Sequence, residues 1–461
     1  MLRAVAFVTC LSACGRLDFD PRDADRGDLH EGGTQVVHAT GPGIERLQDL
    51  AIDDSGSLAL TGTFESMVQI GGRTATSIAS NGEDMLVTVI DLDGSARWLY
   101  ASGASTIGIG HDVTWLPDGS LLAGGYFSGT LLDPSGVSSG SGQDALRLRF
   151  AADGQRLAAR VFGGTQNVQL RGLAATATRS IMGGVYGGSV DFGDGVLPSS
   201  ASDSGFLVVS DAAGEGVSSR GLAGASDVYV NDVAIAADGS FCAGGRFAGT
   251  TDFGGGPIAP VGPAASAWVA KYEADGSLRW IATLGAPAGT GGIAVASNGD
   301  CIASGEFLGT IAIDGHTATA VGAEDGWFAR FDVTTGAAAW LTSFGGAGTD
   351  LAYGVATYPP DGVVLAGRFS GSADLGGLAV TSEGSSDAFI AGYDGASRRQ
   401  WLQLLQGEGT VDGRTLGRVA TDPSGTRAGV AFDFTGTLRV GEDSWTADST
   451  DGATVVVSIP R

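Results

Sequence analysis

His111 and Asp112 stand side by side at the entry to a strand-like run. An imidazole beside a carboxylate is part of what general acid–base catalysis requires. The other histidines, His30, His38 and His316, are scattered and form no metal-ligand spacing with it. No Gly-x-Ser-x-Gly elbow, His-Glu-x-x-His pair or Walker loop occurs. Asp133, Asp191, Asp194, Asp252, Asp314 and Asp374 recur in glycine-rich connections. Oxygen ligands in such loops can hold calcium, but a site needs about six converging oxygens. One Asp per loop predicts hairpin-turn chemistry instead. No catalytic, metal-ligating or cofactor-binding residue is therefore assigned. An enzyme on this chain would have to gather single carboxylates, His or Arg from several segments at one mouth.

The elements that would position such groups are repeats, which decide the fold before any local motif does. Gly56, Gly119, Gly239, Gly299, Gly362 and Gly425 each follow Ser, Asp or Asn and precede a strand-like run, at intervals of 63, 120, 60, 63 and 63. The double gap holds another copy, with Arg179 where the glycine is expected. A second mark follows seven to nine residues later: Phe64, Phe127, Tyr186, Phe247, Phe307, Phe369 and Phe434. Six of these have glycine two positions on; the first has Ser66. Both marks give seven copies of about sixty residues.

The fourth copy shows the unit best. A short apolar strand starts at Asp232, Asp238-Gly239 turns, residues 240–247 make a second strand, and 249–256 connect. Residues 267–272 alternate as a third strand, Asp275-Gly276 suits a type I′ hairpin, and 277–285 form a fourth. Four strands joined this way make one antiparallel propeller blade. Trp98, Trp280, Trp340 and Trp401 recur in the fourth strand, where they are expected to fill the wedge between blades. The seventh copy stops after a third strand, 453–459, while residues 34–40 form a strand with no blade of its own. That N-terminal strand is expected to complete the last blade and close the ring, which removes an exposed edge. An open solenoid is the alternative, and it would leave both edges bare.

The predicted fold is therefore all-β: a seven-bladed β-propeller of four-stranded antiparallel blades over 34–461, closed by the N-terminal strand. The high glycine count, 78 in 461 residues, agrees with many tight turns. Cys242 and Cys301 lie in corresponding strands of adjacent copies but at neighbouring offsets. Neighbouring offsets point to opposite sheet faces, so two buried thiols are expected ahead of a disulfide.

The first residues carry an address. Arg3 precedes a short apolar run, 4–11, too short to span a bilayer as a helix. Leu11-Ser12-Ala13-Cys14 resembles a bacterial lipobox. That resemblance implies a lipoprotein signal peptide over 1–13 and lipidation of Cys14. Two or more acyl chains anchor stably where one is marginal. Gly15 in place of Asp favours the outer membrane by the same resemblance. An ordinary secretory signal with an incidental Cys14 is the alternative. Residues 14–33 are polar and Asp-rich and read as a flexible tether. The formal net charge of −25 opposes binding to nucleic acid or anionic head groups.

The unit resembles the bacterial seven-bladed β-propeller repeat family. The matching residues include Gly245-Phe247-Gly249, Asp252-Phe253-Gly254 and Asp387-Ala388-Phe389. The third copy departs most, with Arg179 and a fourth strand lacking the aromatic. The resemblance implies architecture and export, and no common reaction. Residues 331–336 with Trp340 look locally like the repeat of quinoprotein-type propellers, but the residues that would hold a quinone and calcium cannot be placed. The chain thus reads as a monomeric, lipid-anchored binding or scaffolding module for envelope protein or polysaccharide. An enzyme with a site at the channel mouth and a passive envelope-structure protein are the alternatives.

Overall fold

A computed structural model describes residues 28–29 and 35–460, apart from 44, 79–81, 132–136, 141, 212–213, 223, 263, 286, 413–417, 441–442 and 448–452. The signal peptide, Cys14, His30 and Asp133 lie outside the described residues.

The hairpin turns and alternating apolar runs fold each copy into a meander, and the chain is all-β among the described residues. The fourth copy is representative. Val228–Ile235 lies innermost, followed outward by Phe241–Phe247, Ser266–Tyr272 and Leu278–Thr283, all antiparallel. Six blades are continuous in sequence. The seventh is assembled from Val419–Thr421, Arg427–Thr435, Ala453–Pro460 and, outermost, Gln35–Thr40. Residues 35–39 pair antiparallel with 458–454, so the N-terminal strand completes the last blade. Among the described residues seven four-stranded antiparallel sheets follow one another, and the N-terminal strand completes the last, the closure that the chain ends predict.

Each blade buries both faces, and the core is a set of wedges between neighbours. Val37, Leu47, Leu60 and Ala431 share the wedge across the closure of the ring. Val87, Trp98, Phe127 and Phe150 share the next one. All seven marker aromatics, Phe64 to Phe434, are buried at 0–1% exposure. Trp98 stacks on Phe150 of the following blade at 5.3 Å, and its Nε1 donates to Ala152 O at 3.1 Å. Trp280 and Trp340 repeat the gesture, donating to Val333 O and Gly395 O. The wedge role expected of the fourth-strand tryptophans is what the structure contains.

Three local expectations are corrected. Cys242 and Cys301 are not free thiols; they form a disulfide, with Cα atoms 5.9 Å apart, between the fourth and fifth blades. Their opposite facing was inferred correctly, but opposite faces of two adjacent sheets are the faces that confront each other. Arg179 does not sit in a glycine's place: the third-copy hairpin is one residue shorter. There Thr176 N bonds Arg179 O, and Arg179 opens the second strand. Asp28–Leu29, within the stretch read as tether, pair antiparallel with Val36 and Gln35.

Candidate functional site

The innermost strands line the central channel, and a repeated irregularity shapes it. In the first six blades the pairing of the inner two strands shifts register at one point. Such a β-bulge leaves one residue unpaired and re-aims the next. The unpaired residues are Gln48, His111, Arg171, Asn231, Gly291 and Tyr353. The residues after them are Asp49, Asp112, Gly172, Asp232, Gly292 and Gly354, and Arg418 holds the same place in the seventh copy. One structural position therefore carries three carboxylates, three glycines and one guanidinium.

The three acids, Gly354 and Arg418 converge on a cavity of about 120 Å³ lined also by Val233, Ile293 and Val355. Asp49 Oδ2 accepts from Val113 N of the second blade at 2.8 Å, and Asp112 Oδ2 from Leu173 N of the third at 2.9 Å. Asp232 Oδ2 accepts from Ile293 N of the fifth at 2.7 Å. Each carboxylate thus clips its blade to the next by satisfying a buried backbone donor. Where glycine stands, the backbones themselves close up: a side chain at Gly172 would come within 2.9 Å of Val233 N. Arg418 Nη1 meets Asp232 Oδ2 at 2.6 Å, and Nη2 donates to Asn231 O at 3.2 Å. Both side chains of that ion pair are buried, at 8% and 7% exposure.

Three acids facing one cation cannot all remain charged at low cost. Burial pushes Asp49 up to about 6, against the pull of Arg418. Burial, and then the neighbouring charge of Asp49, push Asp112 well above the carboxylate range. Both acids of this neighbouring pair are thus harder to ionise than a free carboxylate. Burial, with Arg171 and Arg418 nearby, pulls His111 down to about 3 and keeps it neutral.

Towards the face that carries the connections between second and third strands, the channel opens into a mouth of different character. Its side chains come from the bulges, from residues before the marker aromatics and from neighbouring positions such as Tyr229 and Gln169. His111 lies 6.0 Å from the Tyr126 ring. The guanidinium carbons of Arg171 and Arg246 cover the Tyr229 ring at 4.9 and 4.7 Å, a double cation–π contact. Arg171 also donates to Gln169 Oε1 at 3.2 Å, and Tyr229 Oη to Asp203 Oδ2 at 3.1 Å. Tyr353 and Arg368 continue the ring beside Glu306. Burial raises the Tyr126, Tyr353 and Glu306 pKa values.

The sequence pair His111-Asp112 is thus brought to the channel, and the structure adds Asp49, Asp232 and Arg418. A signal for them exists: Asp49, Asp112, Asp232, Gly292 and Arg418 all stand seven residues before a turn glycine. The glycine-loop aspartates are not brought together. Asp252 Oδ1 accepts from Gly254 N and Gly256 N, and Asp191 Oδ1 from Gly193 N and Gly195 N. Asp194 accepts from Ser219, Asp314 from Ala338 N and Asp374 from Gly377 N. Asp191, Asp252 and Asp374 do the turn chemistry expected of them, whereas Asp194 and Asp314 tie their loops to the fourth strand of their blade. His316 lies apart, against Ala338 O, and His38 is in the closing strand. Residues 332–336 form a turn in which Asp332 Oδ1 accepts from Thr334 N and Thr335 N, and Gly336 lies against the Trp280 indole.

No protein-family model matches the chain, and no curated protein matches it. Among solved structures the chain is similar to the quinohemoprotein alcohol dehydrogenase from Comamonas testosteroni, at 11% identity over 94% of this chain and 77% of that one, TM-score 0.40. It is similar to Sqt1 from Chaetomium thermophilum at 9% identity, over 95% and 99% of the two chains, TM-score 0.43. Kuenenia stuttgartiensis hydrazine synthase matches at 11% identity over 70% and 75%, TM-score 0.39. At this level the likeness is one of β-propeller-type architecture and says nothing of activity.

Proposed function

We propose that the protein is an exported binding module of the bacterial envelope, anchored by lipid on Cys14, and that it holds polysaccharide at the channel mouth. The observation that supports this reading is the ring of Tyr126, Tyr229 and Tyr353 interleaved with Arg171, Arg246 and Arg368. Flat aromatic faces beside planar, multidonor guanidiniums suit sugar rings bearing hydroxyl or carboxylate groups. Beneath the mouth, the channel acids cross-link blades and hold that ring rigid, which lowers the ordering cost of binding. The inter-blade disulfide agrees with an oxidising, exported location. The likeness of the repeats to lipid-anchored seven-bladed propellers points the same way.

The test is a polysaccharide array probed with the full chain and with Tyr229→Ala. Saturable binding of an envelope polysaccharide, weakened in the variant, supports the reading. Absence of glycan binding, with a stoichiometric protein captured from envelope extract instead, replaces it with protein scaffolding.

A second reading rests on the neighbouring carboxylates Asp49 and Asp112 at the channel cavity, both with pKa values raised by burial. Two carboxylates with separated pKa values are the arrangement of acid–base hydrolysis. Against it, both carboxylates already accept backbone donors across the blade junctions. Hydrolysis of the bound polysaccharide that disappears in Asp112→Asn would establish the enzyme.

A further inference from the structure

The junction between the second and third blades differs from the four that carry a wedge tryptophan. Trp98, Trp280, Trp340 and Trp401 pair with Val89, Lys271, Arg330 and Gly392 of their third strands. The equivalent residue of the second blade, paired with Arg149, is Ala158. Here, as at Ser218 of the third blade, the indole that fills the wedge at four other junctions is absent. In its place lies a cavity of about 230 Å³, bounded by the hairpins of both blades.

Its walls combine two kinds of surface. Leu116, Leu122, Leu148 and Ala177 supply an apolar side. Arg147, Arg149, Arg160 and Arg179 supply the other, against the carboxylates of Asp118 and Asp211. Four guanidiniums around one cavity are unexpected in a chain of net charge −25. Arg149 pairs with Asp118 at 2.7 Å and Arg160 with Glu215 at 2.9 Å, both on the exposed rim. Arg147 is buried at 8% exposure. Among the described residues its hydrogen bonds go to neutral acceptors, Ser180 Oγ at 3.2 Å and Gly214 O at 2.7 Å. Arg160 Nη1 donates to the same Gly214 carbonyl. Arg179 reaches away, donating to Ala274 O of the fourth blade at 2.7 Å. Burial, and then Arg160, pull the Arg147 pKa down to about 10, as expected for a cation lacking a close counter-charge.

We propose that this cavity is a binding site for a small amphipathic carboxylate, whose apolar body takes the place of the missing indole and whose carboxylate meets Arg147 and Arg149. The guanidinium fork matches a carboxylate in geometry, and the leucines match a flat hydrocarbon body. The site lies at the opposite end of the blades from the channel mouth and does not depend on what the mouth binds.

Indole-3-acetate reproduces both halves of the proposed ligand and serves as the probe. Calorimetric titration of the full chain is expected to show saturable binding. Indole-3-acetamide, which lacks the charge, should bind about tenfold more weakly, and inorganic phosphate more weakly than either. Ala158→Trp places here the residue that four other junctions carry and should abolish binding while raising the unfolding temperature. Arg149→Gln, at the exposed rim, should weaken the acetate and leave the acetamide unchanged. Equal affinity for acetate and acetamide, phosphate binding as tight as indole-3-acetate, or undiminished binding in a folded Ala158→Trp would each overturn the proposal.

Discussion

Arg418 of the seventh blade and Asp232 of the fourth meet across the channel at 2.6 Å, both buried, although 186 positions separate them in sequence. The pair joins blades that share no strand pairing among the described residues, and it sets one cation against the three acids Asp49, Asp112 and Asp232.

Removing one partner of a buried pair leaves the other charge uncompensated, which costs about 3–5 kcal/mol. Arg418→Met is therefore expected to lower stability by about that amount in chemical denaturation. Adding Asp232→Asn should recover a large part of the loss. A double-mutant cycle with no coupling would show that the pair does not hold the channel.

The acid pair gives a pH dependence of definite sign. The Asp49 pKa is raised from 3.8 to about 6 in the folded protein. A raised carboxylate contributes stability that is full below its unfolded pKa and is lost as pH rises through the folded one. Between pH 4 and about 6 this contribution should fall by up to about 3 kcal/mol. Asp49→Asn keeps an acceptor for Val113 N and should flatten that slope, as measured by urea unfolding across the window.

The disulfide between Cys242 and Cys301 closes a loop with a sequence separation of 59. A loop of that size corresponds to about 4 kcal/mol in the chain-entropy account. Cys242→Ala with Cys301→Ala should lose a few kcal/mol of stability and make unfolding indifferent to reductant. Wild-type protein should be reductant-sensitive in the same assay.

The wedge tryptophans admit a direct comparison. Trp280 packs on Gly336 and donates to Val333 O at 3.1 Å, with 8% exposure. Trp280→Ala should cost about 3–5 kcal/mol, read as a shift in denaturation midpoint. The second blade already carries Ala158 at that position, so Ala158→Trp should move the midpoint the other way.

The architecture was legible in the chain itself. Turn glycines and marker aromatics at a sixty-residue spacing decide the blade, because short strands with tight turns have few other ways to bury both faces. The unmatched strand at each end decided the closure, since an unpaired edge in a ring of sheets finds only one vacant place. What the repeats could not show is what happens between blades. The parity of Cys242 and Cys301 fixes their facing within a sheet, but only the packing of two sheets shows that these faces confront each other. Likewise Asp49, Asp112, Asp232 and Arg418 recur at one offset in the sequence. Only closure of the ring brings them to one point and removes them from water, and that burial gives them raised carboxylate pKa values and a buried ion pair. The cavity at Ala158 has the same origin. A missing tryptophan is visible in the alignment of copies, while the four arginines around the void belong to two blades and meet only in the folded ring.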